Sequence, residues 1–188
     1  DTGSSFEGMG ASRELLVSTL AEPALFLVLL VLVTQTGELS LSAALVPGAG
    51  ARALSAAAPL VLAAAALVLL LLAENARVPV DDPATHLELT MIHEVMVLDH
   101  GGPDLALIEY GASVKLWAFA ALLVSVALSP AEWHPAVEAG AFLAGMAAVA
   151  ALVAGIESGM ARLRLTRVPH FVVVASVLAG FSLLLSFA

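Results

Sequence analysis

Residues 74–104 read ENARVPVDDPATHLELTMIHEVMVLDHGGPD. They carry seven of the chain's sixteen carboxylates (Glu74, Asp81, Asp82, Glu88, Glu94, Asp99 and Asp104) and three of its five histidines, His86, His93 and His100. Carboxylates and imidazoles together can move protons, hold a metal or pair with a basic partner. A metal is the least favoured of these. On an unbroken helix the histidines share a face, but residues a heptad apart are about 10 Å apart, too far for one ion. A polar helix face is preferred, and neither a metal site nor a catalytic residue is expected.

Further ionisable residues stand in apolar surroundings. Glu22, in ASRELLVSTLAEPALFLVLL, lies about two turns into a hydrophobic run, where a carboxylate is costly and marks function by default. It is expected to face the protein interior. Arg13 and Glu14 stand at the entrance of that run. Lys115, in EYGASVKLWAFA, either snorkels to the interface or pairs with a carboxylate such as Glu22. Glu74 ends a hydrophobic run and can pair with Arg77. Glu88 and Glu94 lie among apolar neighbours. Glu157 precedes ARLRLTRVPH, where Arg162, Arg164 and Arg167 could clamp an acidic partner. The proton-path candidates are therefore Glu22, Glu74, Glu88, Glu94 and Lys115. The docking and loop candidates are Arg13, Glu14, Arg77, Asp81, Asp82, His86, Glu157, Arg162, Arg164 and Arg167. For Asp81 and Asp82, solvated loop carboxylates or helix caps are the favoured reading.

The elements that position these residues belong in lipid. The chain is 61% hydrophobic and 12% charged, against about 25% charged in a soluble domain, and its mean hydropathy is +1.02. With no cysteine and a net charge of −9, thiolate metal sites, disulfides and nucleic-acid partners are excluded. Five runs are long enough to span a bilayer, at about 15–34, 54–73, 109–129, 136–156 and 168–188. Each must be helical, because lipid offers no partner to free backbone groups. The expected fold is an all-α membrane bundle with a structured loop at 74–108. Asp82 before Pro83 is a plausible helix start. Leu87, Met91, Val95 and Leu98 fall on one face of an amphipathic helix from Ala84 to about Leu98. The opening DTGSSFEGMGAS reads as a Gly/Ser-rich loop.

ENARVPVDDPATHLELTMIHE resembles the signature loop of the subunit 1 family of respiratory complex I. SSFEGMGASRELLVSTLAEP, GGPDLALIEYGASVKL and ESGMARLRLTRVPHF resemble its hydrogenase-associated branch, that of formate hydrogenlyase, hydrogenase-4 and the group 4 membrane-bound nickel–iron hydrogenases. The quinone-reducing branch typically shows E-T-N-R-x-P-F-D-L-P-E-x-E-x-E-L here. Glu74, Arg77, Pro79, Asp81, Pro83, Glu88 and Leu89 match it, while Ala84 and His86 replace two glutamates, which favours the hydrogenase branch. Arg13 and Glu22 keep the family spacing, and Arg162 and Arg164 match its R-x-R.

The resemblance implies a subunit that anchors a soluble redox arm in a prokaryotic cytoplasmic membrane and passes redox energy to proton or sodium movement. It would bind no cofactor itself. Its partners would be hydrogenase large and small subunits, carrying the nickel–iron centre and iron–sulfur clusters, and antiporter-like membrane subunits. Family members have about eight spans, so the five read here are expected to be the C-terminal part of a longer subunit. The alternatives are a quinone-site subunit and an independent ion transporter, the latter resting on a helix break at Glu22–Pro23.

Arg13, Arg77, Arg162, Arg164 and Arg167 fall on one side of the five spans and Arg52 on the other, which makes the side of loop 74–108 cytoplasmic. With single cysteines introduced, an impermeant thiol reagent outside intact cells should label position 42 (Ser42→Cys) but not 158 (Ser158→Cys). The opposite pattern refutes this orientation.

Overall fold

In the computed structural model, residues 3–45, 57–81, 92–128 and 134–187 are described. They form helices α1 (Ser5–Thr36), α2 (Leu41–Leu45), α3 (Ala57–Glu74), α4 (His93–Val97), α5 (Gly102–Ala127), α6 (Pro135–Gly159) and α7 (Val168–Ser186), with a 3₁₀ turn at Leu165–Arg167 before α7. No strand occurs among the described residues. Four helical segments are long and apolar enough to cross a membrane: α1, α5, α6 and the segment Leu165–Ser186. The shorter α3 has 18 residues, about 27 Å at 1.5 Å per residue. The described part of each of the five expected runs is thus largely helical, and four of the helices are long enough to span.

The core is α1, α3 and α7. Val17, Ala21, Ala24, Val28 and Val31 recur every three or four residues along the buried face of α1. Val168, Val172, Ala175, Ala179 and Ser182 do the same on α7. Ala63, Ala66, Leu67 and Leu70 of α3 are fully buried against them. Alternation of alanine with larger side chains lets backbones approach closely, which counts in lipid, where the hydrophobic drive between helices is weak. Ser182 hydroxyl donates to the Pro59 carbonyl at 2.6 Å, and Thr34 hydroxyl to Ser186 Oγ at 3.1 Å. Both bonds tie the end of the bundle opposite the 74–108 loop.

α5 packs on α3, and α6 packs on α5 with no fully buried residue of its own. A Cβ added to Gly145 would lie 2.7 Å from Val124 Cγ1, so glycine sets that spacing. Trp117 of α5 meets Phe142 of α6 edge to face, with centroids 6.5 Å apart.

Two expectations are corrected. The opening segment is not a loop: α1 begins at Ser5 and runs for 32 residues, about 48 Å. That exceeds the roughly 30 Å hydrocarbon core, so the first turns project beyond it. Their glycine has a packing purpose, because a Cβ on Gly10 would meet Met96 N at 2.9 Å and Ile92 O at 3.0 Å. Glycine here lets α4 seat directly on α1. Secondly, α1 continues unbroken through Pro23, so the break that a transporter site would need is not found there. The expected amphipathic helix is described only as α4, since Asp82, His86, Leu87, Glu88 and Met91 lie outside the described residues. Val95 of α4 is buried as expected, whereas Leu98, just past the end of α4, is exposed and departs from the anticipated face.

The chain turns sharply after α3. Ala76 N–H donates to the Ala73 carbonyl and Arg77 N–H to the Leu72 carbonyl, with Ala76 left-handed at φ 47°. This is the helix-ending geometry that glycine usually serves. Ala76→Gly should stabilise the protein by about 0.5–1 kcal/mol, the gain from relieving an alanine at positive φ less the added freedom of the unfolded chain. A lower thermal midpoint of the variant in detergent would refute this.

Candidate functional site

One end of the bundle gathers the projecting start of α1, the end of α3, α4, the first half of α5 and the 157–167 segment. α1 contributes Glu14, Ser18 and Glu22 at i, i+4 and i+8, a staircase on one side of the helix. α3 ends with Glu74, whose Oε2 accepts a hydrogen bond from Ser18 Oγ at 3.2 Å and pairs with Lys115 Nζ at 2.7 Å. The same ammonium lies 3.9 Å from Glu14 Oε1. Lys115 therefore stands between two carboxylates from two other helices. Neither is Glu22, the partner expected for it.

The turn at Ala76 sends Arg77 away from Glu74 and towards Glu157, at 3.4 Å. The expected Glu74–Arg77 pair is thus replaced by two pairs, each joining distant segments. Four residues on, Asp81 is nearly fully buried. Its Oδ2 accepts the backbone N–H groups of Ile92 at 2.8 Å and His93 at 3.2 Å, and its Oδ1 pairs with Arg162 Nη2 at 3.0 Å. Asp81 is therefore a buried cross-link rather than a solvated loop acid. Arg162 is held inside the chain, leaving Arg164 and Arg167 as the exposed arginines of that segment. The Leu163 N–H to Pro79 carbonyl bond, 2.8 Å, reinforces the same junction.

His93 and His100 diverge instead of sharing a face, because α4 ends at Val97. His93 Nε2 lies 3.5 Å from Glu109 Oε1, and His100 Nε2 lies 2.7 Å from the buried Glu7. Arg13 is partly buried, its Nη2 3.2 Å from Met9 Sδ. Among the described residues no group of three His, Asp or Glu side chains is placed to hold a metal.

These groups enclose a cavity of about 430 Å³ walled by Glu14, Glu74, Arg77, Asp81, His93, Glu94, Glu109 and Lys115. Glu74 also lines a second cavity of about 180 Å³, with Ser18, Glu22 and Phe119. Glu22 is nevertheless exposed, contrary to the expected interior position. The buried stripe of α1 runs through Ala21 and Ala24, and at 100° per residue Glu22 is turned off it. Glu14 Oε2, Asn75 Oδ1 and His93 Nε2 are buried without a protein hydrogen-bond partner, and buried polar atoms in a roomy polar cavity are ordinarily satisfied by water.

The site thus joins Glu14, Glu74, Glu94 and Lys115, with Glu22 beyond Glu74. Asp82, His86 and Glu88 lie outside the described residues. Glu7, Ser18 and Glu109 were not singled out from the sequence, and His93 and His100 were read there only as part of a polar helix face. For Ser18 the four-residue spacing from Glu14 to Glu22 is a signal.

The fold and site define a multi-pass helical membrane protein with its ionisable residues clustered at one membrane boundary. The chain belongs to the NADH dehydrogenase family, whose model matches residues 1–188. It is similar to hydrogenase-4 component C of Escherichia coli (strain K12), at 34% identity over 128 residues, 68% of this chain. The chain spans 39% of that relative's length in the match. No solved structure matches the chain.

Asp81→Ala should cost about 3–5 kcal/mol, because it strands a largely buried arginine and two amides. Asp81→Asn, which keeps an acceptor oxygen, should cost less. Thermal unfolding in detergent checks both, and equal midpoints for wild type and Asp81→Ala would refute the cross-link.

Proposed function

We propose that this chain is a membrane subunit of a group 4 nickel–iron hydrogenase or formate hydrogenlyase-type complex, seated in a prokaryotic cytoplasmic membrane. It anchors the soluble redox arm at the end formed by α4, the 74–81 turn and the exposed Arg164 and Arg167. It binds no cofactor itself. The nickel–iron centre and iron–sulfur clusters reside in the hydrogenase large and small subunits, and ions leave through antiporter-like neighbours. The relative's printed name and the family membership support the assignment.

The observation that carries a coupling role is the position of Glu74. It pairs with Lys115 in the larger cavity and faces Glu22 in the smaller one. Protonatable groups therefore run from the membrane boundary towards the span in steps that water can bridge. Lys115 between Glu14 and Glu74 gives the run a movable charge. Its shift from one carboxylate to the other would change which acid can hold a proton.

Quinone reduction is the second reading. A cavity between the first span and the 74–100 loop favours it, while its charged wall and the Ala84 and His86 replacements oppose it. The Glu22→Gln and Glu74→Gln variants keep side-chain shape and remove titration. In inverted vesicles each should lower ion uptake per hydrogen to about one tenth or less, the scale of losing a positioned proton carrier, with assembly preserved. Wild-type uptake per hydrogen in both variants would remove this path.

A further inference from the structure

We propose that His93, working with Glu109, is the group through which protons enter the Glu14–Lys115–Glu74 cluster from the aqueous side. The inference rests on the proton-path reading above and names the intake that reading leaves unassigned. Burial along the cavity is graded. The side chain of Glu109 is 56% exposed, that of His93 27% and that of Glu74 12%. The three therefore form a sequence from water to interior, with the imidazole in the middle.

Imidazole suits this step, since either ring nitrogen can take up or release a proton. His93 Nε2 is buried with no hydrogen bond. Its nearest carboxylate oxygen, on Glu109, is 3.5 Å away, beyond good hydrogen-bond length. A proton arriving on Nε2 supplies both a donor and a charge, and Glu109 is placed to draw it closer. Leaving for the interior, the proton passes through cavity water to Glu74, since Glu14, 33% exposed, lies no deeper than the ring, and the imidazole returns to neutral. The other ionisable groups around the cavity are Asp81, Glu94, Arg77 and Lys115. Asp81 is committed to Ile92, His93 N–H and Arg162, Arg77 to Glu157, and Lys115 to Glu74. His100 is unsuited, because it is engaged by buried Glu7 beside a different cavity. The backbone of His93 is clamped by Asp81, so the ring is held at the mouth.

The test uses inverted vesicles containing the assembled complex, with proton uptake and hydrogen turnover measured together. His93→Gln should lower uptake per hydrogen about fivefold or more, and added imidazole should restore at least about half, since a diffusible buffer replaces a lost surface carrier but not a purely structural group. Glu109→Gln, at an exposed position, should show a smaller loss with the same rescue, and it carries the test if His93→Gln fails to assemble. Wild-type uptake in an assembled His93→Gln complex, or a loss that imidazole leaves unchanged, overturns the assignment. If His93→Gln fails to assemble, wild-type uptake in Glu109→Gln, or an unrescued loss there, overturns it equally. Glu74→Gln separates the two levels. Lost uptake there that imidazole does not restore, alongside normal uptake in His93→Gln, refutes the intake alone. Normal uptake in both refutes the path itself.

Discussion

The polar end of this protein depends on one buried carboxylate. Asp81 holds three segments that are far apart in sequence: the turn after α3, the start of α4 and the link between α6 and α7. A buried charge is costly unless every lone pair is used. Here two backbone amides and a guanidinium use them. The benefit reaches beyond the pair itself. A five-residue helix cannot sustain itself, and the N-cap residue of α4, Ile92, offers no capping side chain. Asp81 supplies that cap from across the fold, and the missing Cβ of Gly10 gives α4 its seat on α1. Remove either contact and His93, Glu94 and Met96 lose their positions on the cavity wall.

Behind this end stands a bundle that needs no polar chemistry to hold. The alanine and valine stripes of α1, α3 and α7 interlock through most of their length, and hydroxyl bonds at the far end fix their ends relative to each other. α1 serves both regions. Its apolar part is packed in the core, and its first turns extend past the hydrocarbon with Glu7 and Glu14. The charged cluster therefore lies where a helix about 48 Å long leaves a hydrocarbon layer of about 30 Å. At that depth carboxylates and an ammonium can be partly dehydrated and still exchange with water. Deeper they would need full pairing, and farther out they would be screened.

The apolar framework was legible in the sequence because lipid imposes a strict rule on length and composition, and the helices follow the five runs within a few residues, apart from the early starts of α1 and α5. The glycine at 10 read as loop because its reason lies against α4, about eighty residues away. Asp81 read as a surface acid for the same cause, since nothing local announces Arg162. The Arg77–Glu157 and Glu74–Lys115 pairs likewise join helices whose neighbours only the fold decides. Of the heptad of histidines, His86 lies outside the described residues, and His100 falls beyond the end of α4, so it does not share a helix face with His93. Where spacing and structure agree, as at Glu14 and Ser18, the residues share one long helix. Resemblance to the complex I subunit family reached the 74–104 loop when physical reasoning alone had stopped at an ionisable, structured segment.

The distribution of rigidity follows from these contacts. α1, α3 and α7 share a continuous core, whereas α4 is held by Asp81, the Gly10 seat and a few side chains, so α4 belongs to the part of the molecule that opens most easily. Arg162 stands two residues before the exposed Arg164 and five before Arg167. Under the proposed function, a redox arm seated on those two arginines would act on the segment that carries Arg162, and through Arg162 on Asp81. Asp81 in turn holds the backbone of His93, the group at the mouth of the cavity. A displacement at the docking face therefore has a short mechanical route to the proton-handling residues, made of one ion pair and one backbone hydrogen bond. Glu74, at the other end of the cavity, is fixed to α3 of the rigid core and would stay in place. Coupling of this kind requires one movable wall and one fixed wall, and the contacts at Asp81 and Glu74 divide the cavity in that way.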